Sequence, residues 1–417
     1  MTTHHKSERN PVAISHTTLP TGLRLLHIPL AGDVEYFGMA VRAGSRDEMP
    51  GEEGLAHFVE HTIFKGTTHR KACHIVNCLE SVGGELNAFT TKEETNVYSV
   101  FPKGNLRRAA GLIADLVTDS VFPPQQLEKE RSVVEDEINS YLDSPSEAVY
   151  DDFDELIFAG SPLAHNILGS CDTIATFTPE KCRQWLERHF TIDSSIVFYA
   201  GSERPEKVIR TVSGAFERFT RRSNGADTPI PAATAAPFII DRGSSRHQAH
   251  TLSGVITASL YDNSRFALSL LSNIIGGPGM NSLLNVELRE RRGLVYTVES
   301  SLALYSDCGL LTVYFGCDPD NHARCLDVMR RALGRLSSDG LSERKFRQAQ
   351  RQLSGQTVIS SEQRENAVMS AARSFLLRGE VMTTDDCRKA IESITPDDFR
   401  QVLKLIDPER LSTLTLH

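Results

Sequence analysis

The spacing of apolar residues predicts both strands and helices in each half of the chain. Short apolar or alternating runs predict strands over residues 23–28, 36–43, 195–200, 249–258 and 296–304. Apolar residues at intervals of three and four predict helices over residues 54–65, 71–82, 105–120, 266–275 and 321–338. Because strands and helix pairs occur in both halves, the pattern predicts an α+β protein with two similar domains.

A stretch without apolar periodicity separates the two halves. Residues 222–237 read RSNGADTPIPAATAAP, a composition typical of a linker. We therefore expect an N-terminal domain over residues 1–221 and a C-terminal domain over residues 238–417. A total of 417 residues also exceeds the size at which single cores stop growing.

An internal repeat supports this division. The nine residues from Thr178 match the nine from Thr395, at an offset of 217 positions. Both begin with Thr-Pro, a helix start that explains part of the match. The shared Arg-Gln-x-Leu favours duplication. At about the same offset from His57, residues 272–276 carry no metal-binding side chain, so the second half is predicted to be metal-free.

Residues 57–61, HFVEH, carry the strongest chemical signal of the sequence. In a helix, His57 and His61 project from one face and can bind a single Zn²⁺. Glu60 leans over the same site, where a general base for a zinc-bound water is expected. The order H-x-x-E-H is a metalloprotease signature. The alternative is a helix that merely carries two histidines and an acid.

A third ligand is expected from the acidic helix predicted over residues 125–141. One face of this helix combines two carboxylates with apolar side chains: Glu130, Val133, Val134, Glu137 and Tyr141. Buried carboxylates are usually paired or bound to metal, so this face predicts a ligand. Glu128, Glu135 and Asp136 are interpreted as solvated.

With these residues the chain resembles the pitrilysin/insulinase family of zinc peptidases, which includes the mitochondrial processing peptidases. The resemblance implies His57, His61 and Glu137 as ligands of one Zn²⁺ per chain, Glu60 as catalytic base and Glu130 as a supporting acid. It also implies two domains, each an antiparallel sheet backed by helices, which together form a half-shell of a peptidase chamber.

The resemblance extends to candidate substrate-binding residues. Asn87, Ala88, Phe89 and Thr90 resemble the family's edge strand beside the zinc, which pairs with the substrate backbone. An ordinary glycine turn before a strand would look the same. Residues 161–169 resemble the loop after the active-site helices, and His165 within it is interpreted as structural.

Near the other end, Arg289 and Tyr296 resemble an Arg/Tyr pair of the same family, and the resemblance implies that they reach the substrate. A guanidinium and a tyrosine hydroxyl are suitable donors to a developing oxyanion. The alternative is a basic helix end, in which cations face the C-terminal end of the helix dipole. That alternative is enough to explain Arg291 and Arg292. Residues 276–279, GGPG, lack the ending of a phosphate-binding loop and are predicted to form a turn.

Composition excludes several other classes of function. The net charge of −9 and the absence of a basic stripe argue against nucleic acid. No apolar run reaches the roughly 18–20 residues that span a bilayer. The eight cysteines include no C-x-x-C pair, and residues 1–11 lack both a signal-peptide core and the Arg-rich character of a transit peptide. These features predict a cytoplasmic protein with reduced thiols.

The sequence therefore predicts a zinc-dependent endopeptidase that hydrolyses peptides or unfolded segments in an enclosed chamber. The alternative is a non-catalytic peptide-holding or scaffold subunit of a heteromeric processing peptidase. A structural zinc site would usually have four cysteine-rich ligands, and no cysteine lies within the motif. Because the resemblance implies a four-domain chamber, a homodimer is expected, with a heterodimer containing a metal-free partner as its competitor.

Overall fold

The computed structural model describes residues 14–223, 236–243 and 247–417. The start of the chain and most of the predicted linker, residues 222–237, lie outside the described residues. The chain divides into two compact units. The first contains the chain up to Glu135, the stretch that begins at Ile167, and Arg364–Val381. The second contains Asp136–Asn166, the region that ends at Gln363, and Met382–His417.

Fourteen helices and eleven strands are found in the described part of the chain. The strands are β1 (Ser15–Thr18), β2 (Arg24–Pro29), β3 (Val34–Val41), β4 (Glu85–Thr90), β5 (Thr95–Pro102), β6 (Ser195–Gly201), β7 (Ile239–Arg242), β8 (Ala249–Thr257), β9 (Val295–Leu304), β10 (Gly309–Cys317) and β11 (Ser412–Leu416). The helices are α1 (Leu55–Thr62), α2 (Ala72–Glu80), α3 (Leu106–Asp119), α4 (Pro124–Leu142), α5 (Pro145–Ile157), α6 (Cys171–Ile174), α7 (Pro179–His189), α8 (Pro205–Ala215), α9 (Arg265–Gly276), α10 (His322–Asp339), α11 (Glu343–Ser361), α12 (Arg364–Arg378), α13 (Thr384–Ser393) and α14 (Pro396–Leu403).

The first unit is built on a six-stranded sheet in the order β1-β2-β6-β3-β5-β4. All neighbours are antiparallel except β2 and β6, which run parallel. Every residue of β6 is buried, as expected for a strand covered on both faces. Helices α3 and α8 pack together and against the sheet, and β4 forms one of its open edges.

Helix α12 covers the other face of this sheet, although it comes from the second half of the sequence. Its Val368, Ala372 and Phe375 are buried in one cluster with Phe198 and Ala200 of the sheet. The Tyr98 hydroxyl on β5 also donates to the Glu365 carboxylate on α12 at 2.7 Å. The apolar stripe of α12 therefore belongs to the core of the first unit.

The second unit repeats this topology with a five-stranded sheet in the order β7-β11-β8-β10-β9. Its parallel pair, β7 with β11, occupies the position of β2 with β6. Helices α9, α10 and α14 contribute to the core on one side. On the other side, α5 places Val149, Phe153 and Ile157 in one buried cluster with Leu252 and Leu414.

The repeated order confirms the prediction of two similar α+β units. The expected sheets are not wholly antiparallel, because each contains one parallel pair. The repeated Thr-Pro segments begin corresponding helices, α7 and α14. Thr178 accepts a hydrogen bond from the Lys181 amide at 3.3 Å, and Thr395 accepts one from the Asp398 amide at 3.1 Å. The units do not follow a single cut of the chain, because α5 and α12 each belong to the unit of the other half.

The eight cysteines all lie in the described regions and are free. Within the same regions, no helix combines the length and apolarity needed to cross a membrane.

Candidate metal centre

Helix α1 holds the central motif in a fixed position because most of its residues are buried. Leu55, Ala56, Phe58 and Val59 are at most 1% exposed, and the helix packs against β4, β5 and α7. The Gly54 backbone before it has φ of 95°, a conformation suited to glycine. A Cβ there would also lie 2.5 Å from the carbonyl oxygen of Leu168.

The structure brings the three predicted metal ligands together. His57 and His61 lie one turn apart on α1, with ring centroids 4.6 Å apart. One ligand atom from each of these histidines and one from Glu137 on α4 all lie within 4.8 Å of one another. Two imidazoles and a carboxylate form a donor set typical of catalytic zinc, so these residues fit a zinc ion. Glu60, on the same turn as His61, is partly buried.

Burial prepares His57 for metal binding. Desolvation, with a smaller contribution from neighbouring His61, lowers the pKa of His57 to about 3. The imidazole is therefore neutral near pH 7, which is the state that binds metal.

Glu130 contacts both a ligand and a cation. Its Oε2 lies 3.4 Å from Nδ1 of His61, and its Oε1 lies 2.7 Å from Nζ of Lys65. A carboxylate on one ring nitrogen leaves the other nitrogen for a metal and fixes the ring orientation. Glu130 is thus placed to orient the His61 ring, and the supporting role expected for it stays a prediction. Lys65 was not predicted, although its position four residues after His61 was a usable signal.

The predicted buried face of α4 is partly wrong. Val133 is 49% exposed and Tyr141 is 38% exposed. Leu127, Val134 and Ile138 are the buried apolar residues, and they follow one stripe of the helix. The stripe is rotated by about one residue relative to the prediction, so it passes beside both Glu130 and Glu137.

A second cluster in the described residues has metal-ligand chemistry but is already neutralised. His69, Asp115 and Asp119 bring ligand atoms within 4.8 Å. Arg70 contacts Asp115 at 2.5 Å, and Arg218 contacts Asp119 at 2.8 Å. The ring Nδ1 of His69 lies at hydrogen-bond distance from Asp115, 2.6 Å away. These ion pairs identify a structural cluster. His165 belongs to neither group.

The four candidate substrate-binding residues lie on the edge strand β4 of the first unit. Asn87, Ala88, Phe89 and Thr90 pair in register with Tyr98, Val97, Asn96 and Thr95 of β5. β4 is the last strand of this sheet in the described residues, which is the position at which an extended peptide can add to a sheet.

Arg289 and Tyr296 lie in the second unit, near its own edge strand. Arg289 is on a π-helical turn, Asn285–Glu290, and is exposed. Tyr296 is on β9 and is 59% exposed. Arg289 lines a cleft of about 320 Å³ together with Glu299 and Ser300 of β9. Both side chains are thus available to a ligand.

The neighbouring arginines and glycines have structural explanations. Arg291 and Arg292 lie 2.6 and 2.7 Å from the carboxylate of Glu287, which is 7% exposed. Gly276 approaches β9 so closely that a Cβ would lie 2.6 Å from the Ser300 amide nitrogen. The GGPG segment therefore needs its first glycine for helix-to-strand packing.

Comparison with known proteins places the chain in a family. The profile of the insulinase family (peptidase family M16) matches residues 32–170, and that of the peptidase M16 inactive domain matches residues 176–353. An uncharacterized zinc protease of Streptomyces coelicolor is 34% identical over 96% of this chain and 88% of its own length. One of Bacillus subtilis is 29% identical over 86% of each chain.

Solved structures show the same fold. A protease from Helicobacter pylori has a TM-score of 0.90 at 20% identity, covering 97% of this chain and 99% of its own. A Pseudomonas fluorescens structure described as a peptidase M16 inactive domain has a TM-score of 0.89 at 15% identity, with 97% and 98% covered. Motif, fold and sequence similarity agree, and the chain belongs to the insulinase family of peptidases, family M16.

Proposed function

We propose that this protein is a zinc-dependent endopeptidase with one zinc ion per chain. The observation that carries the proposal is the convergence of His57, His61 and Glu137, with Glu60 on the same short helix. Zinc held there would act as a Lewis acid toward water and the scissile carbonyl. The names of the related zinc proteases support this assignment.

The protein's own groups would perform the proton transfers. Glu60 would take a proton from the attacking water and return it to the leaving amine, as a general base and then a general acid. Glu130, contacting His61 and Lys65, would hold the imidazole in the orientation that binds metal.

The substrate would bind as an extended strand along β4. Its backbone would pair with the open edge formed by residues 87–90, so that recognition depends mainly on main-chain hydrogen bonds. This mode favours peptides and unfolded segments. Arg289 and Tyr296 would donate hydrogen bonds to the substrate backbone or the developing oxyanion.

We further propose a cytoplasmic homodimer, in which the Arg289/Tyr296 pair of one subunit serves the zinc site of the other. The presence of both motifs in one chain supports this arrangement over a heterodimer with a metal-free partner.

A peptide-holding or scaffold subunit is the second candidate. The family profile that matches residues 176–353 is that of an inactive domain, so the fold also serves without chemistry. The retention of Glu60 beside a complete ligand set favours the enzyme.

The test is cleavage of an unfolded, internally quenched peptide by the purified protein. Activity would be measured as isolated, after chelation, after addition of zinc, and for Glu60→Gln at equal zinc content. Glu128→Gln is a suitable control because Glu128 lies on the same helix α4, is 73% exposed and pairs only at the surface with Arg131. We expect activity that follows zinc, is lost in Glu60→Gln and is retained in Glu128→Gln. A wild-type protein that binds one zinc ion without cleaving would instead support the peptide-holding subunit.

A further inference from the structure

We propose that the loop Gly44–Glu48 positions two parts of the site through two different residues. Glu48 would hold the metal-binding helix α1, and Arg46 would hold the turn that ends the edge strand β4. Both are positioning residues, because they act through other groups rather than on substrate or metal. The inference rests on the proposed function.

The Glu48 carboxylate occupies the N-terminus of α1. Its Oε2 accepts a hydrogen bond from the Gly54 amide at 3.0 Å, and its Oε1 accepts one from the Ala56 amide at 2.8 Å. Helices usually satisfy these first amides with the side chain of the capping residue. Gly54 has no side chain to do so, and Glu48 replaces it from six residues upstream.

Burial makes this contact strong and specific. Glu48 is 8% exposed, and its negative charge faces the positive end of the helix dipole. Hydrogen bonds to a charged group are about twice as strong as neutral ones. Ala56 directly precedes His57, so Glu48 fixes the backbone at the point where the first ligand emerges.

Arg46, in the same loop, contacts the turn that follows β4. Its Nη1 lies 2.6 Å from Oε1 of Glu93, and the two side chains are only 3% and 10% exposed. Backbone hydrogen bonds also join the loop to this turn. The amides of Ser45 and Arg46 donate to the carbonyls of Thr91 and Lys92 at 3.1 and 2.8 Å.

The Thr91–Glu94 turn connects β4 to β5. The turn is closed by a backbone hydrogen bond, in which the Thr91 amide donates to the Glu94 carbonyl at 2.8 Å. Arg373 on α12 pairs with Glu94 of the same turn. The two arginines thus hold the turn from two elements and limit how far the edge strand can move. Because Arg46 and Glu48 are two residues apart, the loop sets the position of α1 relative to β4.

The Glu48 part is tested by metal affinity, measured as competition for Zn²⁺ with a chromogenic chelator. Glu48→Gln keeps the size of the side chain but loses the charge and one acceptor. We expect its Zn²⁺ Kd to rise by about 10-fold, at the lower end of the range for groups that orient ligands. The Co²⁺-substituted variant should also show an altered visible spectrum. Glu48→Asp, which keeps the charge, should recover part of the affinity.

The matched control is Glu53→Gln, which changes another loop carboxylate whose contacts are to the Gly51 amide. Its Kd should equal that of the wild type. Equal Kd values for Glu48→Gln and the wild type would overturn the assignment of Glu48, whether or not the protein proves to be a peptidase.

The Arg46 part is tested by peptide binding to protein that carries Glu60→Gln and therefore does not turn over. We would add the paired change Arg46→Met/Glu93→Gln, which removes both charges of the ion pair together. We expect peptide Kd to rise about 10-fold, on the order of one well-placed hydrogen bond, while Zn²⁺ Kd stays unchanged. An unchanged peptide Kd contradicts the role of Arg46. Absence of peptide binding before the paired change would instead contradict the proposed function.

Discussion

Nζ of Lys65 lies 2.7 Å from the same Glu130 carboxylate that contacts His61. Lys65 follows His61 by one helical turn, so the imidazole, the carboxylate and the ammonium form a short chain of contacts. The lysine offsets the negative charge of Glu130, which allows the carboxylate to remain partly buried beside the site. We infer that Lys65 acts on the metal centre only through Glu130.

Removal of Glu130 should therefore weaken metal binding, and removal of Lys65 should add nothing to that loss. For Glu130→Gln we expect Zn²⁺ Kd to rise about 10–100-fold, because His61 loses its charged orienting partner. Lys65→Met should have a smaller effect. The double variant should resemble Glu130→Gln, and a chelator-competition titration of all three proteins measures the coupling. Fully additive losses would contradict the serial arrangement.

Arg289 and Tyr296 should matter for catalysis without mattering for stability. Both are exposed, so Arg289→Gln and Tyr296→Phe should leave Tm within about 1 °C, as expected for surface substitutions. Loss of a hydrogen bond to the oxyanion should lower kcat/KM by about 100-fold.

Arg292→Gln is the contrasting variant. Arg292 neutralises the buried Glu287, which Arg291 also contacts. Loss of the Arg292 guanidinium should lower the stability of the second unit by about 1–2 kcal/mol while kcat/KM changes little. A stability loss in Tyr296→Phe that equals the loss in Arg292→Gln would show that the tyrosine is structural. Thermal unfolding and steady-state kinetics on the same preparations make this comparison.

His189 should make the first unit less stable in acid. Burial, with a smaller contribution from Arg188, lowers the pKa of His189 from 6.5 to about 4. Between these values the unfolded chain binds the extra proton, so this contribution to stability is complete above about pH 7 and is lost as the pH falls toward 4. The difference corresponds to at most about 3 kcal/mol.

Trp185 provides the probe for this effect, because it is the single tryptophan of the chain and its ring centroid lies 4.0 Å from that of His189. Urea unfolding of metal-free protein, followed by its fluorescence from pH 7.5 to 4.5, should show a flatter pH dependence in His189→Gln. If the free energy of unfolding depends on pH equally in the wild type and in His189→Gln, His189 is not the group responsible.

Local patterns accounted for much of the site and fold. Four-residue spacing on a buried helix was enough to place His57 and His61 together, and Thr-Pro starts located α7 and α14. These features depend on residues that are close in sequence. The edge position of β4 came from the family resemblance, and the structure agrees with it.

Features that depend on distant contacts were not predictable in the same way. Pro50 and Gly51 signal the turn between Glu48 and α1, but no local pattern shows that the Glu48 carboxylate accepts from the amides of Gly54 and Ala56. β10 was not predicted, although it is buried throughout like β6, which was predicted from its apolar run. The exposure of Val133 shows the same limit, since helical spacing alone fixes a face only to within about one residue.

The proposed homodimer makes a prediction about mixed inactive proteins. Glu60→Gln lacks the base and Tyr296→Phe lacks the donor, so each should be nearly inactive. If Tyr296 serves the zinc site of the partner, a hybrid dimer contains one site with both defects and one intact site. Equal mixing with full exchange makes about half of the dimers hybrids, and activity should recover to about a quarter of the wild-type value. If the two residues act within one chain, every site in the mixture retains a defect and no activity returns.

Glu60→Gln mixed with His61→Ala is the control that should stay inactive under both arrangements, because both changes affect the zinc site of their own chain.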